Sequence, residues 1–185
     1  MFNLKVYVDS NSFGVKNAEA VAAVRSALEI FNTKILKEQC RIDDFAVVET
    51  DNHRKSDIIV SRARRGLNRR DRQWLQRLSV ELIPTLSETD GKNILLDTVE
   101  IVNVSSSYDK PFDEIVSEVV CRELCFALGV SGRIGLHRYG SKEYQKDFGL
   151  MLEPYSPYNG KIGKEYFLTE DEIAALKATV STIVA

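Results

Sequence analysis

One stretch constrains this chain more than any other: Phe112 to Gly129, reading FDEIVSEVVCRELCFALG. Ile115, Val116, Val119, Val120, Leu124, Ala127 and Leu128 recur at helical spacing. They form an apolar face wide enough to be buried between a sheet and a second layer. Asp109 and Pro111 mark the approach to this helix, and Gly129 suits the left-handed position that ends many helices. A helix covered on most sides needs a sheet to lie on, so the flanking segments must supply one.

They do. Phe2, Leu4, Val6 and Val8 alternate with polar or amphipathic residues, the period-two signature of a half-buried strand. After turn residues from Asp9 to Gly14, a long helix opens at Asn17, with Val21, Val24, Leu28, Phe31 and Ile35 inward and Glu29, Lys34 and Lys37 outward. Ile42 to Thr50 predicts a second strand, and the apolar run Asp57 to Val60 a short strand covered on both faces. Leu82 to Lys92 reads as a connection with a turn at Asp90-Gly91, and Asn93 to Val104 as the longest strand. After Gly129 the chain is irregular to about Lys164. So long a loop in a compact domain is usually functional or the remnant of something functional. Thr169 and Glu172 form a capping box for a last helix, with Leu168 and Ile173 as a hydrophobic staple and Ile173, Leu176 and Val180 as its buried stripe.

At 185 residues the chain is expected to form a single domain, 1–185. That length buries roughly 70% of the unfolded surface, so no disulfide or metal staple is required. A net charge of −2 gives no overall attraction to nucleic acid or an anionic membrane. No apolar run reaches the ~20 residues of a transmembrane helix. The start, MFNLKVYVDS, does not read as a signal peptide. The expected compartment is therefore the cytoplasm, or the periplasm or exterior if a leader has been trimmed. The cysteines, Cys40, Cys121 and Cys125, are too few for a disulfide framework.

One local composition stands out. Arg62, Arg64, Arg65, Arg69, Arg70, Arg72 and Arg77 fall within 16 residues around Trp74. Arginine forks match phosphates and carboxylates, so Arg62 to Arg70 form a candidate anion-binding patch, and a polyanion binder is one alternative function. The preferred reading is a solvated loop and short helix with Trp74, Leu75 and Leu78 packing inward, because the rest of the chain supplies no further basic surface. Nucleic acid is thus not the expected partner; a protein or peptide is.

In series these elements resemble the catalytic domain of the metzincins, matrixin-type zinc endopeptidases in particular, from Asp57 onward and most strongly from Asn93 to Val180. The family's zinc helix reads His-Glu-Leu-Gly-His-Ala-Leu-Gly-Leu. Here Arg122-Glu123-Leu124-Cys125-Phe126-Ala127-Leu128-Gly129-Val130 stands in its place. Leu150-Met151-Leu152-Glu153-Pro154-Tyr155 resembles the turn that sets a methionine beneath the metal, and LTEDEIAALKATV the closing helix. A bacterial group of metzincin-like proteins with eroded zinc motifs is a closer likeness than any active protease. The resemblance implies an α+β fold: a twisted mixed sheet of about four or five strands, packed with a long N-terminal helix, the central helix and a C-terminal helix.

Catalytic zinc takes three protein ligands and an open position for water. In the family's register the three ligand positions fall on Arg122, Phe126 and Gly132, none of them a ligand. Glu123, at the general-base position, survives as a vestige. Zinc is therefore not expected, nor any other cofactor, and the implied function is a non-catalytic pseudo-peptidase with a binding or structural role. The alternative is a metal-dependent hydrolase with a remodelled site. Cys121 and Cys125 share a helix face at i, i+4, and His137 could supply a third ligand although it lies past the family's position. CxxxC has low specificity, and two buried thiols acting as small hydrophobes is the simpler reading.

Overall fold

The computed structural model describes residues 1–63, 86–134, 149–153 and 166–185. Among them lie a five-stranded sheet, a two-stranded ladder and four α-helices. The sheet runs β2-β1-β3-β5-β4, where β1 is Phe2–Val8, β2 Phe45–Glu49, β3 Ile58–Arg62, β4 Ser87–Thr89 and β5 Asn93–Leu96. All neighbours are parallel except β4, which pairs antiparallel with β5 at one edge. Leu4, Val6 and Val8 are buried as the alternation predicts, whereas Phe2 is half-exposed and stacks on Phe45 across the β1–β2 pair.

Parallel β1 and β2 need a long crossover, and α1 (Asn17–Ile30) supplies it. The helix continues without a break into a π-helical stretch, Phe31–Gln39, whose end is shown by the Cys40 N–H bonding to Ile35 O. Phe31, Ile35 and Leu36 stay buried through the widened turns. At its end Arg41 turns the chain with φ 56°, and β2 begins at Phe45 rather than at Ile42.

Two expectations are corrected between 82 and 104. The polar Ser87–Thr89 is a strand, not a connection. It needs only one partner and tolerates polar side chains because it is a sheet edge. The Asp90-Gly91 turn that joins it to β5 is as expected, with Asp90 accepting from the Lys92 and Asn93 N–H groups and Gly91 at φ 87°. The second correction concerns the run from Asn93 to Val104, which is a strand only as far as Leu96. Helix α2 (Thr98–Tyr108) follows, capped by Asp97, whose side chain accepts from the Glu100 N–H at 3.0 Å. The buried positions change period at that cap: Ile94 and Leu96 are two apart, Ile101 and Val104 three apart. Asp109, in the left-handed region at φ 49°, ends α2, and Pro111 leads into α3 (Phe112–Ala127).

The core is one cluster in which α3 lies against α1, the most extensive helix–helix contact among the described elements. Ala20, Ala23 and Ala27 are all buried on α1, and such small residues let the two backbones approach. Cys121 Sγ lies 3.5 Å from Ala27 O across this contact. Truncating a fully buried member such as Leu124 to alanine would cost about 2–5 kcal/mol.

Helix α3 stops in a Schellman motif. The Val130 N–H bonds to Cys125 O and the Gly129 N–H to Phe126 O, each at 3.0 Å. The last helix, α4 (Glu170–Val184), has the predicted capping box, with Thr169 Oγ1 accepting from the Glu172 N–H and Glu172 from the Thr169 N–H. It crosses the end of α3 so closely that a Cβ on Gly129 would lie 2.7 Å from Thr179 Oγ1.

Candidate functional site

Helix α3 brings Glu123 to edge strand β4, with which it packs. Glu123 is only 3% exposed, and Ser87 Oγ donates to its Oε1 at 2.6 Å. A short bond to a buried carboxylate is the strong, charge-assisted kind. Glu123 does not face solvent, because β4 closes over it. Ser87 was missed for the same reason that β4 was: nothing in LSETD marks a strand, and only pairing with β5 aligns Ser87 with the helix.

The two neighbouring ligand positions are turned toward each other. Arg122 and Phe126, one helical turn apart and both half-buried, stack with the guanidinium carbon 4.8 Å from the ring centroid. This is a cation–π contact worth ~0.5–1 kcal/mol at a partly exposed site. Gly132, the third position, immediately precedes β6 (Arg133–Ile134). That strand pairs in parallel with β7 (Leu152–Glu153), Arg133 opposite Leu152. The ladder therefore brings Gly132 beside Met151, each one residue ahead of the paired positions. Met151 is fully buried, and the adjacent Leu150 N–H bonds to Phe167 O at 3.0 Å. Arg122, Glu123 and Phe126 thus lie on the last turns of α3, and Gly132 and Met151 at the start of the ladder's two strands.

Tested as a zinc site, this set does not fit. A guanidinium stays protonated and offers no lone pair to a metal, a phenyl ring has no donor, and Gly132 has no side chain. Glu123 is the one classical donor at these positions, and its carboxylate already holds Ser87.

The thiols fare differently. Cys40, Cys121 and Cys125 are free and completely buried. Burial, with a smaller push from Glu118, holds the Cys121 thiol well above its ordinary pKa. Cys125 is raised mainly by burial too, then by Cys121, Cys40 and Glu172, while Arg122 pulls it slightly back. Cys40 is pushed up to about 11 by burial, against a small opposing effect of Lys177. Metal binding requires thiolates, and burial opposes forming them here. Among the described residues no three His, Cys, Asp or Glu side chains are placed to hold an ion.

Arg62 ends β3, and its backbone N–H donates to Ser12 Oγ at 2.8 Å. Arg64, Arg65, Arg69 and Arg70 of the basic stretch lie outside the described residues, as does His137. No helix of the described residues is long and apolar enough to cross a membrane.

Compared with known proteins, the chain matches no family model and no curated protein.

A further buried polar pair lies on α3. Glu118, 3% exposed, forms an ion pair with Lys110 from the α2–α3 turn. It lies one helical turn before Arg122. Sequence periodicity could not separate it from the outward glutamates of the same helix.

Proposed function

We propose that this chain is a non-catalytic, metzincin-like domain, a pseudo-peptidase whose fold is kept for a binding or structural role. The observation that carries the reading is the Arg122–Phe126 stack beside a Glu123 that is already engaged. Residues at the first two metal-ligand positions of the family's motif pack on each other, and the general-base carboxylate is buried against Ser87. Support for the metzincin likeness comes from the mixed five-stranded sheet, the long N-terminal and central helices packed together, the glycine that ends α3, and the buried Met151 beside Gly132.

Without an ion to lower the pKa of water, a lone carboxylate is a weak engine for peptide hydrolysis. A buried carboxylate holding a serine hydroxyl is weaker still, since its lone pairs face a partner and not a water. The role left to the domain is recognition or scaffolding through its surface, with a protein or peptide as the partner class.

The test is metal analysis of the full chain, purified without chelators and then offered zinc, alongside cleavage of a mixed peptide library. Substoichiometric metal and no cleavage are expected. One zinc per chain together with cleavage lost on Glu123→Gln would overturn the proposal.

A further inference from the structure

The edge of the sheet opposite β4 is β2, whose sequence FAVVE is rich in β-branched and apolar residues. An apolar, β-prone edge is a template on which another chain can add a strand. Which groups of β2 face outward follows from its bonds to β1. The Phe2 N–H bonds to Asp44 O, and the Thr50 N–H to Val6 O, so even-numbered residues of this segment face β1. The odd-numbered residues Phe45, Val47 and Glu49 therefore direct their backbone groups away from the sheet. Val47 is the middle one.

A side chain takes the place a sixth strand would take. Asn32, in the π-helical stretch, donates from Nδ2 to Val47 O and accepts at Oδ1 from the Val47 N–H, both at 2.8 Å. A carboxamide has the donor–acceptor pair of a peptide group, so it reproduces what a neighbouring strand offers at one residue. Two residues on, Glu49 is held by Arg25 of α1 through a two-pronged contact, Nε to Oε2 at 2.8 Å and Nη2 to Oε1 at 2.9 Å.

We propose that Asn32 is a built-in guard on the β2 edge, and that the occupant it keeps away is the β2 edge of a second copy of this chain. Two β2 strands related by a twofold axis would pair antiparallel through their outward groups, with Val47 near the centre. An antiparallel pairing there needs the Val47 N–H and C=O that Asn32 holds. Removing the carboxamide leaves an unpaired donor and acceptor on an apolar strand, and strand addition satisfies both.

Three proteins test this: the wild type, Asn32→Ala, and Asn32→Ala combined with Val48→Glu. Val48 is half-buried beside Lys5 in the neighbouring strand, so a glutamate there finds an opposite charge in its own chain and repels a second β2. Hydrogen exchange should show the Val47 amide protected in the wild type and unprotected in monomeric Asn32→Ala at low concentration. Sedimentation velocity should show a constant coefficient for the wild type, a rise with concentration for Asn32→Ala, and a return to constancy for the double variant. A concentration-independent Asn32→Ala, or association that Val48→Glu leaves intact, overturns the guard. If Asn32→Ala does not fold, the wild type still decides: a Val47 amide exchanging as fast as an unstructured one refutes the contact itself.

Discussion

Gly129→Ala isolates how helix α3 is stopped and how α4 is seated on it. Gly129 has φ 84°, where a residue with a Cβ costs about 1–2 kcal/mol. The new methyl would also meet Thr179 Oγ1 at 2.7 Å and Thr179 Cγ2 at 3.8 Å. Turning Thr179 about χ1 relieves the first contact and exchanges it for an unfavourable rotamer; shifting α4 relieves it at the cost of packing around Leu176 and Val180. Either response costs about 1–3 kcal/mol. Together these come to about 2–5 kcal/mol, a large part of the ~5–15 kcal/mol that holds a domain of this kind together. Urea denaturation followed by circular dichroism measures it as a fall in midpoint at unchanged slope. A double-mutant cycle then separates the two causes. In a Thr179→Ala background the hydroxyl is gone, so Gly129→Ala should cost only the ~1–2 kcal/mol of backbone strain. Equal costs in both backgrounds would refute the close approach of α4, and a cost near zero in the wild-type background would refute the left-handed cap as well.

Two further outcomes follow from buried groups. Lys110→Met removes the ammonium beside the buried Glu118 carboxylate and should destabilise by about 3–5 kcal/mol, whereas the Lys110→Met, Glu118→Leu pair should lie near the wild type; denaturant midpoints of the wild type and the two variants check both. Cys40, Cys121 and Cys125 should stay silent to a thiol reagent in the native protein and react together in denaturant. Because burial raises the folded-state pKa of Cys40 to about 11, its contribution to stability is complete below the ordinary thiol range and is lost as pH rises through that range toward 11. Cys40→Ala should therefore flatten the alkaline fall in denaturation midpoint, and an unchanged slope would show that the thiol is not buried.

How much of this was legible depended on whether a residue's role is local. The capping box at Thr169 and Glu172 was readable because both its hydrogen bonds close within four residues, and the Gly129 stop for the same reason. The run from Asn93 to Val104 misled because strand and helix meet in it without a break in hydropathy. Asp97 followed by Glu100 three residues on was the one signal of the change, and the alternation before it masked that signal. The β4 strand left no mark, since an edge strand needs neither β-branched residues nor an apolar face.

The sequence alone determined the identities at Arg122, Phe126 and Gly132, and hence that the family's ligand pattern is not met, because side-chain donors do not depend on the fold. It also determined the amphipathic helices and their caps, which rest on spacing within one or two turns. Only the tertiary structure decided that Arg122 lies on Phe126, that Ser87 covers Glu123, and that Asn32 lies on the edge of β2. The last two contacts join residues 36 and 15 positions apart in the chain. Their geometry is set by how helices and sheet pack, and no local pattern of residues encodes it.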